Sequence, residues 1–125
     1  MRRLLLIMVV VMLSMTALGQ ALPCPAPTPG TPHVCLTWTA STTTGVTYNV
    51  YRSTTTGTQN FATPLNTSPI TAVFFYDTTV AIGTTYFYKV VAVGTGGVLS
   101  TPTAEVSAQI PVPPSSPTTP AATID

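Results

Sequence analysis

The sequence has very few charged side chains, and this shortage excludes several classes of function. Only 6% of its 125 residues are charged, with four Lys and Arg, three Asp and Glu, and one His. Nucleic-acid binding needs a basic stripe that neutralises phosphates, and so few cations cannot form one. The same shortage argues against docking on an anionic membrane surface and against the steering of charged substrates.

Residues that could carry catalysis or bind a metal are equally scarce. Nucleophilic catalysis needs a base beside the nucleophile, but the only histidine, His33, lies at the start of a predicted strand, where a surface position is expected. Asp77 and Glu105 are the only carboxylates available for acid–base work on glycosides, and Asp77 falls where a turn cap is expected. The scattered Cys, His and acidic residues do not suit a metal site. We therefore expect no enzyme activity, no metal and no cofactor.

Threonine supplies most of the polarity, and it favours an all-β fold. The chain contains 26 threonines, and leucine is rare outside the first segment. Threonine is β-branched, which suits a pleated strand and disfavours a helix. After the N-terminal segment no helical period appears.

The first 21 residues have the layout of a secretory signal peptide. Two arginines precede an unbroken apolar run over residues 4–13, and small residues follow up to Gly19 and Ala21. This pattern predicts cleavage after Gly19 or Ala21, and a protein that is secreted or held at the cell surface. An uncleaved anchor is the alternative, but the run is shorter than the roughly 20 residues that a spanning helix needs. We expect no stable membrane insertion after cleavage.

The remaining chain divides into a lead-in, one domain and a tail. Residues 22–33 contain five prolines and predict a weak first strand at most. Residues 34–111 contain alternating apolar segments of strand length. Residues 112–125 are rich in Pro, Ser and Thr and predict an extended or disordered tail. The predicted strands cover residues 34–38, 46–52, 61–65, 71–76, 86–93 and 103–110, in addition to the weak first strand.

The alternation within these strands predicts which side chains face the core. Val73 and Phe75 are expected to point inward from the fourth of these segments. The other residues predicted to form the structural core are Trp38, Tyr48, Val50, Tyr86, Tyr88 and Val90. The opposite face of the two neighbouring strands would carry an exposed apolar surface, which we call the outer patch and define as Tyr51, Phe87, Lys89 and Val91. The outer patch is a candidate interface, although ordinary cross-strand packing explains the same pattern.

Three stretches of the chain resemble a fibronectin type III domain of the bacterial type. Residues 34–38 resemble strand B with its core Trp, residues 48–53 resemble strand C, and residues 77–93 resemble the E–F corner and strand F. The resemblance implies a seven-stranded antiparallel immunoglobulin-like sandwich. It also implies that Tyr86 is the tyrosine-corner residue, with its hydroxyl bonded to backbone near residues 80–82. It says little about function, because this fold serves many roles.

Two features of the chain depart from that family or add to it. The proline-rich first strand is weak, and a disulfide between Cys24 and Cys35 would hold it against the next strand. An even cysteine count in a secreted chain favours the disulfide, while two free thiols remain the alternative. Such a short closed loop would stabilise the fold by roughly 2–3 kcal/mol. The uncharged turn at residues 94–98 lacks Arg-Gly-Asp, so integrin recognition does not carry over.

Several functions remain open at the level of the sequence. The leading interpretation is a secreted, non-catalytic structural or binding module of the cell surface or extracellular matrix, with a protein, a glycan or a second copy as partner. The second is a self-associating subunit of an extracellular fibre or coat. The third is a carbohydrate-binding accessory domain that uses Tyr51 and Phe87. Residues 66–68 also match the N-glycosylation sequon, with Pro69 after it.

Overall fold

The computed structural model describes Cys24 and residues 30–125. The predicted signal peptide at residues 1–21 lies outside the described residues, and so does most of the lead-in at residues 22–33. Within the described part, no helix is long and apolar enough to cross a membrane.

The described chain is all-β, as predicted, and it forms two antiparallel sheets. In one sheet β1 pairs with β3, and in the other the order is β2-β4-β5. One 3₁₀ turn, Thr95–Gly97, follows β4. The strands are β1 (Val34–Thr37), β2 (Thr47–Ser53), β3 (Phe74–Asp77), β4 (Thr85–Val93) and β5 (Val106–Gln109).

The expected seven strands are reduced to five in the described residues. Residues 61–65, expected as a short strand, form turns, and a single bond from the Leu65 N–H to the Val50 carbonyl at 2.7 Å joins them to β2. Isolated bridges replace longer pairing at Ile70 and Leu99. Short polar side chains and Pro64 favour local turns over a ladder in this part of the chain.

The expectation that Val73 points inward is wrong, because it is 37% exposed. The backbone bends at residues 72–73, and β3 begins only at Phe74. In a continuous strand, side chains two residues apart point to the same face. The bend interrupts this period, so Val73 does not share the inward face of Phe75. Phe75, beyond the bend, does pack against the core.

The core lies between the two sheets and contains the aromatic residues that the alternation placed there. Trp38 and Tyr48 meet edge to face, with ring centroids 5.3 Å apart. Partly buried Val46, Leu65, Ile70, Phe75, Ala92 and Val106 pack around the fully buried set. The buried cluster consists of Val34, Leu36, Trp38, Tyr48, Val50, Val80, Tyr86, Tyr88, Val90, Ala108 and Ile110.

The turn between β3 and β4 has the geometry expected for a tyrosine corner. The Ala81 N–H donates to the Tyr86 hydroxyl at 2.9 Å, within the segment that the resemblance indicated. Gly83 has φ of 74°, which L side chains rarely adopt, and its N–H donates to the Ile110 carbonyl at 2.9 Å. A Cβ at this position would also lie 3.1 Å from Val112. The corner therefore fixes the end of β5 against the start of β4.

Cys24 and Cys35 form a disulfide with their Cα atoms 6.0 Å apart. This separation lies in the usual range for a disulfide. Both residues are buried, and Cys35 lies in β1 opposite Tyr76 of β3. The bridge therefore attaches the lead-in to the two-stranded sheet, as expected.

Candidate functional site

The four residues of the outer patch do come together on one sheet. In the register of β2 and β4, Tyr51 lies opposite Lys89, while Asn49 lies opposite Val91 and Ser53 opposite Phe87. Alternate residues of a strand share a face, so the patch is continuous across the two strands.

The expectation that this patch is exposed is wrong. Tyr51 and Val91 are each only 2% exposed, and Phe87 and Lys89 are partly buried. The segment at residues 54–65, which we call the cover loop, folds back over Tyr51 and Phe87. The ring of Phe61 lies 4.9 Å from that of Tyr51. The apolar face is therefore a second small core under a loop, and it is not a free interface.

Glu105 directly precedes β5, at the edge of the sheet opposite β2, and it binds the first half of the cover loop. Its Oε2 accepts the Gly57 N–H at 2.7 Å and the Gln59 amide at 2.6 Å, and its Oε1 accepts the Thr56 hydroxyl. Hydrogen bonds from Thr56, Gln59 and Gly57 lower the pKa of Glu105 below its ordinary value. Gln59 is buried and also donates to the Phe87 carbonyl at 3.3 Å. This carboxylate thus closes the loop over the patch.

Asn66 holds the chain just after the cover loop against the edge of β2. Its side-chain oxygen accepts the Val50 N–H at 2.8 Å, and its amide nitrogen donates to the Ser68 carbonyl at 2.9 Å and to Asn49 Oδ1 at 3.1 Å. The side chain therefore satisfies backbone groups that a paired strand would otherwise satisfy. An N-glycan on Asn66 would disrupt the bonds that its amide nitrogen donates, so the side chain of Asn66 has a structural role in the folded protein.

A second carboxylate, Asp77, lies between the two sheets at the end of β3. Its Oδ2 accepts the Arg52 guanidinium at 2.6 Å and the Tyr88 hydroxyl at 2.8 Å. Its Oδ1 accepts the backbone N–H of Thr79 at 2.9 Å and the Thr79 hydroxyl at 2.7 Å. Arg52 comes from β2 and Tyr88 from β4, so this cluster connects the two sheets as well as capping the turn.

The electrostatics of this cluster keep Asp77 ionised. Burial alone would raise the pKa of Asp77, but the hydrogen bonds from Thr79, Tyr88 and Arg52 outweigh it and lower the pKa below its ordinary value. Burial, followed by the bond to Asp77, raises the pKa of Tyr88, so Tyr88 remains a donor. Arg52 also lies over the ring of Tyr86, 4.7 Å from its centroid. An ionised, fully hydrogen-bonded carboxylate is a poor proton donor.

The fold and part of the sequence match a solved structure. The chain is similar to a Fn3-like protein from Clostridium thermocellum, with 35% sequence identity, a TM-score of 0.53, and coverage of 70% of this chain and 86% of that chain. The chain belongs to the Fn3-like family. No protein-family model matches the chain, and no curated protein sequence matches it.

Several members of the two polar clusters in this Fn3-like domain were not identified from the sequence. Arg52 continues the inward phase of Tyr48 and Val50, so alternation alone could have indicated a cation at the edge of the core. Gln59 and Thr56 carry no such signal, because they contact Glu105 across sequence separations of 46 and 49 residues.

His33 has a modest role in the Fn3-like domain. Its ring stacks on Tyr76 with centroids 5.2 Å apart, and its Nδ1 lies 3.2 Å from the Thr31 carbonyl oxygen. Within the described residues, no group of three or more Cys, His, Asp or Glu side chains is arranged to hold a metal ion.

Proposed function

We propose that this Fn3-like chain is a secreted, non-catalytic structural module of the cell surface or extracellular matrix. The observation that carries the proposal is the use of its few charged side chains. Asp77, Arg52 and Glu105 are all committed to bonds that hold loops and sheets together. Because these charged side chains form bonds within the domain, they stabilise its fold and are not available to bind a substrate.

Secretion is supported by two independent features of the chain. The first 21 residues have the layout of a signal peptide. The Cys24–Cys35 disulfide is a feature of proteins from oxidising compartments. Neither feature depends on the other, since one is a targeting pattern and the other a contact within the fold.

Burial of the outer patch argues against two partners, a carbohydrate and a second copy of the chain, at this face. A carbohydrate-binding role through Tyr51 and Phe87 needs their rings to form an open platform, but Tyr51 is buried beneath Phe61. Self-association through the same face would require the cover loop to leave first. We therefore favour a monomeric structural module over carbohydrate binding and over self-association through this face.

The decisive experiment follows the full chain in cells that naturally produce it. We expect the protein in the medium or on the cell surface, beginning at Gln20 or Leu22 and without free thiols, as read by intact mass spectrometry with and without reductant. The matched control replaces Leu5 and Leu6 with Asp, which should abolish export. A chain retained inside the cell with residues 1–21 attached and both thiols free would contradict secretion.

The non-catalytic part of the proposal needs a separate test. Purified protein is assayed against insoluble polysaccharides and chromogenic glycosides, alongside Asp77→Asn and Glu105→Gln variants. We expect no turnover by any of the three proteins. Turnover that the wild type shows and either variant loses would overturn this part.

A further inference from the structure

The chain after β5 has a repeating pattern that the sandwich does not use. All of residues 111–125 are exposed, and they form neither helix nor strand. Prolines recur with a spacing of three at positions 111, 114, 117 and 120, so the segment reads PVP-PSS-PTT-PAA. Within residues 111–125 the only charged side chain is that of Asp125.

A spacing of three has a direct structural consequence. Proline fixes its own φ, lacks an N–H donor and pushes the preceding residue towards extended backbone. The polyproline II helix has three residues per turn, so prolines at this spacing line one face. Ser115 and Thr118 then share a second face, and Ser116 and Thr119 share the third. Two of the three faces of this rod therefore present hydroxyl groups to solvent.

We propose that Ser115, Ser116, Thr118 and Thr119 are acceptor sites for O-linked sugars, and that the modified tail is a stalk. The proposal rests on the secretion argued above. Serine- and threonine-rich segments with interspersed proline are the composition of O-glycosylated stalks. Residues 111–124 contain no charged and no aromatic side chain, and residues 113–120 offer only proline and small hydroxyl side chains, which favours this modification over docking into a partner's groove.

The folded domain shows why the tail is singled out among many threonines. The run at residues 42–44 is also exposed, but it lies in a tight turn in which the Thr43 N–H donates to Ser41 Oγ at 3.2 Å. In the cover loop the Thr58 hydroxyl donates to the Thr55 carbonyl at 2.9 Å. A transferase that needs an extended peptide in its groove would have to unfold these turns, whereas the proline spacing itself favours an extended tail.

The chemistry is a glycosyl transfer with an activated sugar as co-reactant. The hydroxyl oxygen attacks the anomeric carbon of a sugar linked to a nucleotide or lipid phosphate. A carbon–oxygen bond forms, the bond between the anomeric carbon and the phosphate oxygen breaks, and the phosphate leaves with the electron pair. The hydroxyl proton passes to a base of the transferase, and no group is oxidised or reduced.

A modified tail would act as a spacer. In polyproline II geometry the 15 residues after Ile110 reach about 45 Å. Sugars on two faces would hinder bending and would shield the segment from proteases.

The test uses mature protein secreted by cells that naturally produce it. We expect an intact mass above that of the disulfide-bonded polypeptide by whole sugar residues, with the added mass released by alkaline β-elimination and located within residues 115–119. The variant that carries Ser115→Ala, Ser116→Ala, Thr118→Ala and Thr119→Ala should lose all of the added mass while its melting temperature is unchanged.

The matched control carries Thr42→Ala, Thr43→Ala and Thr44→Ala, and it should keep the added mass. A secreted protein with the unmodified mass would overturn the glycosylation but not the secretion. Sugar that persists in the tail variant would overturn the assignment of the sites. A chain that stays inside the cell without sugar would overturn both proposals.

Discussion

Asp77 and Glu105 are the two carboxylates of the folded domain, and each accepts hydrogen bonds from three or more groups. Asp77 is almost fully buried, and its partners Arg52 and Tyr88 come from the opposite sheet. Glu105 is partly exposed at the start of β5, and its partners all come from the cover loop. The first carboxylate connects the sheets of the sandwich, and the second fastens a loop onto its surface.

The two carboxylates differ in whether water could bind their hydrogen-bond partners if the carboxylate were removed. Water can reach Thr56 and Gly57, so two of the three partners of Glu105 can exchange their hydrogen bonds at small cost, while the buried Gln59 keeps its bond to the Phe87 carbonyl. The Tyr88 hydroxyl lies in the interior, and a buried polar group without a partner costs its full desolvation penalty. Removing Asp77 is therefore expected to lower the stability of the whole domain, whereas removing Glu105 is expected to affect mainly the cover loop.

The largest effect is expected for Asp77→Ala. Removing one partner of a fully buried ion pair costs about 3–5 kcal/mol, and the loss here should lie at the lower end of that range, because Tyr88 is left without its acceptor while the partly exposed Arg52 keeps Thr79. Guanidinium denaturation of the wild type, this variant and Glu105→Ala measures the difference. The comparison fails if Glu105→Ala lowers the free energy of unfolding as much as Asp77→Ala does.

The pH dependence of stability should show how much the charge of Asp77 contributes. The pKa of Asp77 is lowered on folding from its ordinary value of 3.8, so its contribution is complete above that value and is lost as the pH falls through the folded pKa. The stability advantage of the wild type over Asp77→Asn should therefore be constant above about pH 5 and shrink below it. An advantage that is unchanged down to the acid limit would show that the charge of Asp77 contributes little.

A smaller effect is expected for Phe61→Ala in the cover loop. Full burial of such a ring contributes about 1.5–3 kcal/mol, and Phe61 is already 39% exposed, so the loss should be about 1–2 kcal/mol. Uncovered Tyr51 should also bind an apolar dye or promote self-association in light scattering. Ile82→Ala, at a more exposed apolar position, is the control and should do neither. Unchanged stability and dye binding in Phe61→Ala would mean that the loop does not protect the patch.

The smallest effect is expected for Glu105→Gln and should be confined to the loop. A neutral amide accepts weaker hydrogen bonds than a carboxylate, so the cover loop should open more often. Hydrogen exchange should become faster at the Gly57 amide and stay unchanged at the amide of Val91, which is buried in the central strand β4. Faster exchange at both amides would assign Glu105 a global role like that of Asp77.

Local patterns were enough for much of the fold. The strand carrying Tyr86, Tyr88 and Val90 was predicted to within one residue of β4, because these residues recur with a period of two in a long stretch of β-branched and aromatic residues. Positions where the pattern breaks were predicted less well, as at Val73, where a bend changes the phase. Within the candidate site, sequence alternation put Tyr51 and Val91 on the correct side of the sheet but could not say what lies above them.

The sequence by itself determined an all-β Fn3-like sandwich, its core aromatic residues, the Cys24–Cys35 pair and the turn that Tyr86 closes. The strands and their core faces follow from alternation, the disulfide from the even cysteine count, and the Fn3-like assignment and the Tyr86 turn from the resemblance of three stretches to that family. Only the tertiary structure decided that the outer face of β2 and β4 is covered and that Asp77 connects two sheets. Those contacts join Thr56 to Glu105 and Arg52 to Asp77 across 49 and 25 residues, and no local pattern records which distant side chain will meet a given carboxylate.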